Sequence, residues 1–111
     1  MKIESQKYSD VMVLRLQGEF TLEAIKSLEV EAANAFAAKV SGIVLDMNKV
    51  VFIDSQALEY LVNLTEECRE NTRQLKVAGL DENCTKILEL TGLLPQFDTY
   101  TELTEAVKSF A

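Results

Sequence analysis

An aspartate and a serine stand side by side where an apolar stretch gives way to a helical pattern. Residues 50–53 read VVFI, Asp54 and Ser55 follow, and an apolar repeat of helical spacing then begins. A serine hydroxyl on the first turn of a helix is accessible to a kinase, and phosphorylation adds about −1.5 to −2 charge there. The free backbone N–H groups of a helix start favour such an anion, while the Asp54 carboxylate opposes it. Ser55 is therefore a candidate phosphorylation site.

The same two residues also fit a purely structural role. Aspartate and serine are preferred helix N-caps, and a cap of this kind contributes roughly 1 kcal/mol to stability. Taken alone, the Asp54-Ser55 pair favours this structural interpretation over a regulatory one.

The residue types give little support to an enzyme. The chain has no histidine, which removes the usual general base, the usual zinc ligand and the Ser-His-Asp triad. Near Ser55 in sequence only Lys49 is available as a base, and no G-x-S-x-G elbow surrounds the serine. The four glycines form no phosphate-binding loop, and Cys68 and Cys84 lack the spacing of metal ligands. We expect no catalytic residue, no cofactor and no metal.

Length and charge narrow the choice of partners. The chain has 111 residues, 48% of them hydrophobic, which predicts one domain spanning residues 1–111. The net charge of −7 disfavours nucleic acid and anionic lipid as partners. No apolar run approaches the roughly 20 residues that a membrane helix needs, and the polar N-terminus does not resemble a signal peptide. We expect a cytoplasmic protein.

Strand and helix patterns alternate after an initial pair of strands. The patterns predict strands at 2–6, 11–18, 41–47, 74–80 and 97–100. They predict helices at 22–39, at about 55–72, from Asp81 to just before Gly92, and after Thr101. Thr21, Asp81 and Thr101 are the predicted N-caps. This order predicts an α/β fold, with a mixed, mostly parallel sheet of four to five strands and about four helices packed on it.

The ordered motifs resemble the STAS domain of anti-sigma factor antagonists over nearly the whole chain. Four stretches carry the resemblance: VLRLQGEF, IVLDMNKVVFIDSQAL, LKVAGLDENCTKILELTGL and FDTYTELTEAV. The second stretch is similar to the family's Asp-Ser-Ser-Gly-Leu turn. Gln56 and Ala57 stand where the family has Ser or Thr and then Gly, and Thr21 stands where it often has Asp. The resemblance implies a single STAS-like domain.

The resemblance also implies a switch. In the family, the serine after the signature aspartate is phosphorylated by an anti-sigma factor that is also a kinase, and that position is Ser55 here. The unphosphorylated protein would bind this GHKL-type ATPase, phosphorylation would release it, and a phosphatase would reset the cycle. Asp54, Thr21 and Gln56 would support the phosphorylated turn. The implied partner-binding residues are Ala57, Leu58, Glu59, Tyr60 and Val62.

Two further interpretations stay open at the level of sequence. A non-switching STAS interaction module, in a stressosome-like or transporter-associated complex, would keep the fold and lack the switch. Several apolar helix faces are also compatible with a homodimer.

Overall fold

Five strands form one sheet in the order β1-β2-β3-β4-β5 in the computed structural model, which describes residues 1–110. Strand β1 pairs antiparallel with β2, and every later pair is parallel. This arrangement confirms the predicted mixed α/β fold. The strands are β1 (Lys2–Tyr8), β2 (Val11–Phe20), β3 (Gly42–Ile53), β4 (Gln74–Ala78) and β5 (Asp98–Tyr100). The helices are α1 (Leu22–Ala37), α2 (Ser55–Glu70), α3 (Glu82–Leu90) and α4 (Leu103–Lys108).

The sheet separates two hydrophobic clusters. Alternate residues of a strand point to opposite faces, so each central strand contributes to both clusters. On one face, Leu45 of β3 lies in the larger cluster with Leu28 of α1, Leu61 of α2 and Leu88 of α3. On the other face, the smaller cluster comprises Val11, Val13, Val44, Ala78 and Ala106. Helices α1 to α3 therefore cover one face, and α4 covers the other.

Strand β3 is longer than the sequence predicts. The predicted strand ends at residue 47, whereas β3 continues to Ile53. Pairing with β2 continues through two register shifts, with Gln17 opposite Lys49 after the first and Phe20 opposite Ile53 after the second. The exposed Asn48 and Lys49 break the apolar run at the first shift, and this break hides the continuation from a periodicity analysis.

Helix α4 begins one residue later than expected, at a different cap. Thr101 is the predicted N-cap, but Glu102 occupies that position. The Glu105 carboxylate accepts a hydrogen bond from the Glu102 backbone N–H at 3.2 Å, which is the reciprocal half of a capping box. Serine, threonine, aspartate and asparagine are the preferred caps, so a glutamate is a weak signal beside a threonine.

A buried lysine holds β5 and the C-terminal residues on the sheet. Lys76 of β4 is 4% exposed, and its Nζ donates to Asp98 Oδ2 at 2.8 Å and to Tyr100 Oη at 3.2 Å. Burial by itself lowers the pKa of Lys76, but the hydrogen bonds to Asp98 and Tyr100 outweigh it, and the net effect raises that pKa. The same Nζ lies 4.9 Å from the centre of the Phe110 ring.

Gly42 opens β3 at the place where this aromatic ring packs. A Cβ atom at Gly42 would collide with the Phe110 ring and would come within 2.6 Å of the Gln74 carbonyl oxygen. The missing side chain therefore lets the C-terminal residues lie directly against the central strand. Along residues 1–110, no helix has the length and hydropathy needed to cross a membrane.

Candidate functional site

Three helices begin at the same edge of the sheet. Strands β2, β3 and β4 run parallel, so their carboxyl ends point the same way, and each is followed by a helix. Phe20 and Ile53 are paired at the ends of β2 and β3, which brings the start of α1 beside the start of α2. In open α/β sheets, binding sites collect at this edge.

The Asp54 carboxylate caps two helices at once. Its Oδ1 accepts a hydrogen bond from the Ala57 backbone N–H of α2 at 2.8 Å. Its Oδ2 accepts one from the Leu22 backbone N–H of α1 at 3.1 Å. The Asp54 backbone N–H in turn donates to the Phe20 carbonyl oxygen at 3.0 Å. Asp54 is therefore the N-cap of α2, one of the two residues that the sequence offered for that role, and it caps α1 as well.

The Ser55 hydroxyl takes no part in capping α2. Ser55 is the first residue of α2 and is exposed. Within residues 1–110, its hydroxyl makes no hydrogen bond, because Asp54 already supplies the cap of α2. The two roles that the sequence left open thus fall on different residues: Asp54 is the cap, and Ser55 presents an unused hydroxyl.

Thr21 and Gln56 lie beside this pair. Thr21 occupies the N-cap position of α1 with an extended backbone, but its side chain makes no capping hydrogen bond. The Asp54 carboxylate serves the first N–H group of α1 in its place. Gln56 is exposed on the first turn of α2. The fold therefore brings all four predicted residues of the turn together.

The expected partner surface on α2 divides into inward and outward positions. Ala57 and Leu58 are buried in the larger hydrophobic cluster and hold α2 on the sheet. Glu59 is exposed, and Tyr60 and Val62 are partly buried. Of these five residues, only Glu59 and the outer edges of Tyr60 and Val62 are accessible to another protein.

Tyr60 carries a neutral hydroxyl at the margin of this surface. Burial raises the pKa of Tyr60, and the carboxylates of Glu29 and Glu67 raise it further. The Tyr60 phenol therefore keeps its proton at pH values where an ordinary tyrosine ionises.

Two apolar residues next to the turn are exposed, which the sequence pattern does not predict. Residues 50–53 read as one buried run, but only Val50 and Ile53 are buried. Val51 and Phe52 are 58% and 44% exposed. A register shift between β2 and β3 lies here, since Gly18 pairs with Val50 and Glu19 with Phe52, and it interrupts the simple alternation of the strand. Val51 and Phe52 are therefore exposed, although their residue types predict burial. They add exposed apolar area directly before Asp54.

Metal-binding clusters and reactive thiols are absent from the described residues 1–110. Between residues 1 and 110, no group of three or more His, Cys, Asp or Glu side chains could hold a metal ion. Both cysteines are buried thiols. Burial raises the pKa of Cys68 to about 11, and burial together with a hydrogen bond to Asp81 raises that of Cys84 to about 12. Neither thiol has the thiolate character that a nucleophile or metal ligand needs.

Comparison with known proteins identifies relatives of the same architecture. The model of the STAS domain matches residues 2–106. BtrV of Bordetella bronchiseptica, described as an anti-sigma factor antagonist, is 23% identical over 110 residues, which are 99% of this chain and 95% of BtrV. YvdB of Bacillus subtilis, described as a sulfate transporter, is 27% identical over 100 residues, which are 85% of this chain but only 19% of that protein.

A solved structure shares the fold over almost its full length. The unphosphorylated form of the anti-sigma factor antagonist SpoIIAA superimposes with a TM-score of 0.81 at 18% identity, covering 98% of this chain and 96% of that one. The phosphorylated form of the Bacillus protein SpoIIAA superimposes with a TM-score of 0.75 at 19% identity, covering 99% of this chain and 100% of that one.

Proposed function

The chain belongs to the STAS domain family, and on this premise we propose that it is an anti-sigma factor antagonist switched at Ser55. The unphosphorylated protein binds an anti-sigma factor that is also a serine kinase of the GHKL ATPase type, and thereby frees a sigma factor for transcription. Phosphorylation of Ser55 releases the anti-sigma factor, and a phosphatase restores the binding form. The kinase and the transcription machinery place this cycle in the cytoplasm.

The observation that carries the proposal is that Asp54 caps the helices while the Ser55 hydroxyl stays exposed and unbonded. Asp54 caps α1 and α2 through two hydrogen bonds, so the fold does not depend on the Ser55 hydroxyl. A kinase can modify that hydroxyl without removing a cap. The modification then changes the surface of the protein and leaves its core intact, as a reversible binding switch requires.

The charges at the turn make phosphorylation of Ser55 strongly unfavourable for partner binding. A phosphate on Ser55 would stand on the first turn of α2, whose free N–H groups stabilise an anion. It would also stand next to the Asp54 carboxylate, which adds to the negative charge. A partner that covers this turn must desolvate the phosphate and the carboxylate together, and unpaired charges in an interface cost several kcal/mol.

The surrounding surface suits a protein partner. Val51 and Phe52 offer exposed apolar area on one side of the turn. Gln56 and Glu59 offer polar contacts on the first turns of α2, and Tyr60 lies beside them. Exposed apolar area next to polar side chains suits a protein interface. The protein needs no catalytic group of its own, because the partner kinase supplies the chemistry.

Affinity capture from a lysate of the source organism tests the proposal. The bait proteins are the wild type, Ser55→Asp, Ser55→Ala and Asn63→Asp, which adds the same charge farther along the exposed side of α2. We expect an ATPase-domain anti-sigma factor with the wild type, Ser55→Ala and Asn63→Asp, and at least about tenfold less with Ser55→Asp. When the captured complexes are incubated with ATP, the bound kinase should phosphorylate the wild type but not Ser55→Ala.

Equal recovery of the same partner by the wild type and Ser55→Asp would refute the switch. Recovery of transporter or scaffold proteins alone would indicate a non-switching interaction module in place of an antagonist.

A further inference from the structure

Helix α1 has an apolar face that nothing in the described chain covers. Its inner face is buried against the sheet through Ala24, Leu28, Ala32 and Ala35. On its outer side, Leu22 is 60% exposed and Val30 is 56% exposed. Together with Ile25, Lys26, Glu29 and Ala33 they line a shallow groove of about 480 Å³, which we call the α1 stripe. A helix that is apolar on two faces is normally covered on both.

The charges of the α1 stripe are self-complementary. Lys26 is the only basic residue of α1, and Glu29 lies three positions farther along. If a second copy of α1 runs antiparallel across the first about a two-fold axis, a pairing that sets Leu22 opposite Ala33 also sets Lys26 opposite Glu29. Both pairings share one centre, between Ser27 and Leu28, so each occurs twice. This is the pattern of an isologous interface, in which one patch meets itself.

The sizes of the paired residues fit the same arrangement. The exposed Leu22 side chain would meet the small Ala33 at each end of the contact, and a large residue facing a small one lets two helices approach closely. The two Lys26–Glu29 pairs would lie between these apolar contacts, where partial burial strengthens their attraction.

The charge of the whole chain singles out this face for self-association. The net charge is −7, so most faces of two copies would set acid against acid. The α1 stripe carries one lysine and one glutamate and is neutral. We infer that the α1 stripe is a homodimer interface, formed by the antiparallel packing of α1 against α1 of a second copy. The inference concerns α1 alone and stands independently of phosphorylation at Ser55.

Charge reversal on the full chain tests this inference. Sedimentation equilibrium over a wide concentration range measures the dimer dissociation constant of the wild type, Lys26→Glu, Glu29→Lys and the double variant. Each single reversal creates two like-charge contacts, and we expect it to weaken the dimer at least about tenfold. The double variant restores both pairs with their signs exchanged, so we expect it to dimerise like the wild type. Circular dichroism checks that each variant is folded.

A control removes exposed apolar surface elsewhere. Leu90, at the end of α3, is also exposed, and Leu90→Glu should leave the dimer constant unchanged. A wild type that stays monomeric at millimolar concentration would overturn the inference. A dimer that ignores both single reversals, or a double variant that is not restored, would overturn it as well, because association would then use another face.

Discussion

The Asp54 carboxylate and the Leu22 backbone N–H are hydrogen-bonded at 3.1 Å across the gap between α2 and α1. The two residues are 32 positions apart in sequence, and the contact exists because β2 and β3 end side by side. One side chain thus fixes the starts of two helices relative to each other, next to the serine that we propose as the switch.

Substitutions at Asp54 should separate these two hydrogen bonds. In Asp54→Ala, both backbone donors lose their acceptor, and we expect the free energy of unfolding to fall by about 2–3 kcal/mol. In Asp54→Asn, the single amide oxygen can serve only one donor, so about half of that loss is expected. Urea unfolding measures these differences, and amide hydrogen exchange at Leu22 reports the bond to α1 directly.

Ser55→Ala is the matched control for this series. Because Ser55 does not cap α2, its removal should change the free energy of unfolding by less than about 0.5 kcal/mol. A loss as large as that of Asp54→Ala would assign the cap to Ser55 and contradict the described geometry.

Gly42 should be intolerant of any side chain. The added methyl group of Gly42→Ala collides with the Phe110 ring and approaches the Gln74 carbonyl oxygen, and overpacking of this kind costs about 1–3 kcal/mol. Thermal or urea unfolding measures the loss. The double variant Gly42→Ala/Phe110→Ala should lose less than the sum of the two single variants, because the ring is then absent.

The double variant should recover only part of the stability lost in Gly42→Ala, because the Gln74 carbonyl oxygen belongs to the backbone and cannot be removed. Strict additivity of the two substitutions would show that Phe110 does not pack against β3, since only residues in contact show a coupling energy.

The two buried thiols should make the protein less stable at high pH. The ordinary thiol pKa is 9.0, and it is raised to about 11 at Cys68 and to about 12 at Cys84 in the folded protein. Their stabilising contribution is therefore complete below pH 9 and is lost as the pH rises through these values. Between pH 9 and 11 each thiol should lower the free energy of unfolding by about 1.4 kcal/mol per pH unit.

Cysteine-to-alanine variants isolate this effect. Under reducing conditions, Cys68→Ala and Cys84→Ala should each show a shallower decline of the free energy of unfolding between pH 9 and 11 than the wild type. Equal slopes in all three proteins would mean that the thiols do not keep their protons in the folded state.

The sequence predicted the features that depend on neighbouring residues, such as helix caps and the order of strands and helices. Asp81 caps α3, with its carboxylate accepting from the Cys84 backbone N–H at 2.7 Å, and Gly92 takes the left-handed conformation after that helix. Strand and helix order followed from periodicity in the same way. Each of these features depends on residues within a few positions of each other.

Features that depend on distant residues could not be predicted. The Asp54–Leu22 hydrogen bond requires the register of β2 against β3. The exposure of Val51 and Phe52 accompanies a register shift between β2 and β3. The amphipathic pattern of α4 predicts a helix, but the choice of the opposite sheet face is a matter of tertiary packing.

The alternation of inward and outward residues on α2 has a consequence for how such domains diverge. Ala57 and Leu58 hold the helix in place, while Gln56 and Glu59 are exposed beside the turn. Substitutions at exposed positions of this kind usually change stability by less than about 0.5 kcal/mol. One or two surface substitutions could therefore change which protein a duplicated copy of this domain binds. The copies would then not cross-react in the same cell, although all would keep the same fold.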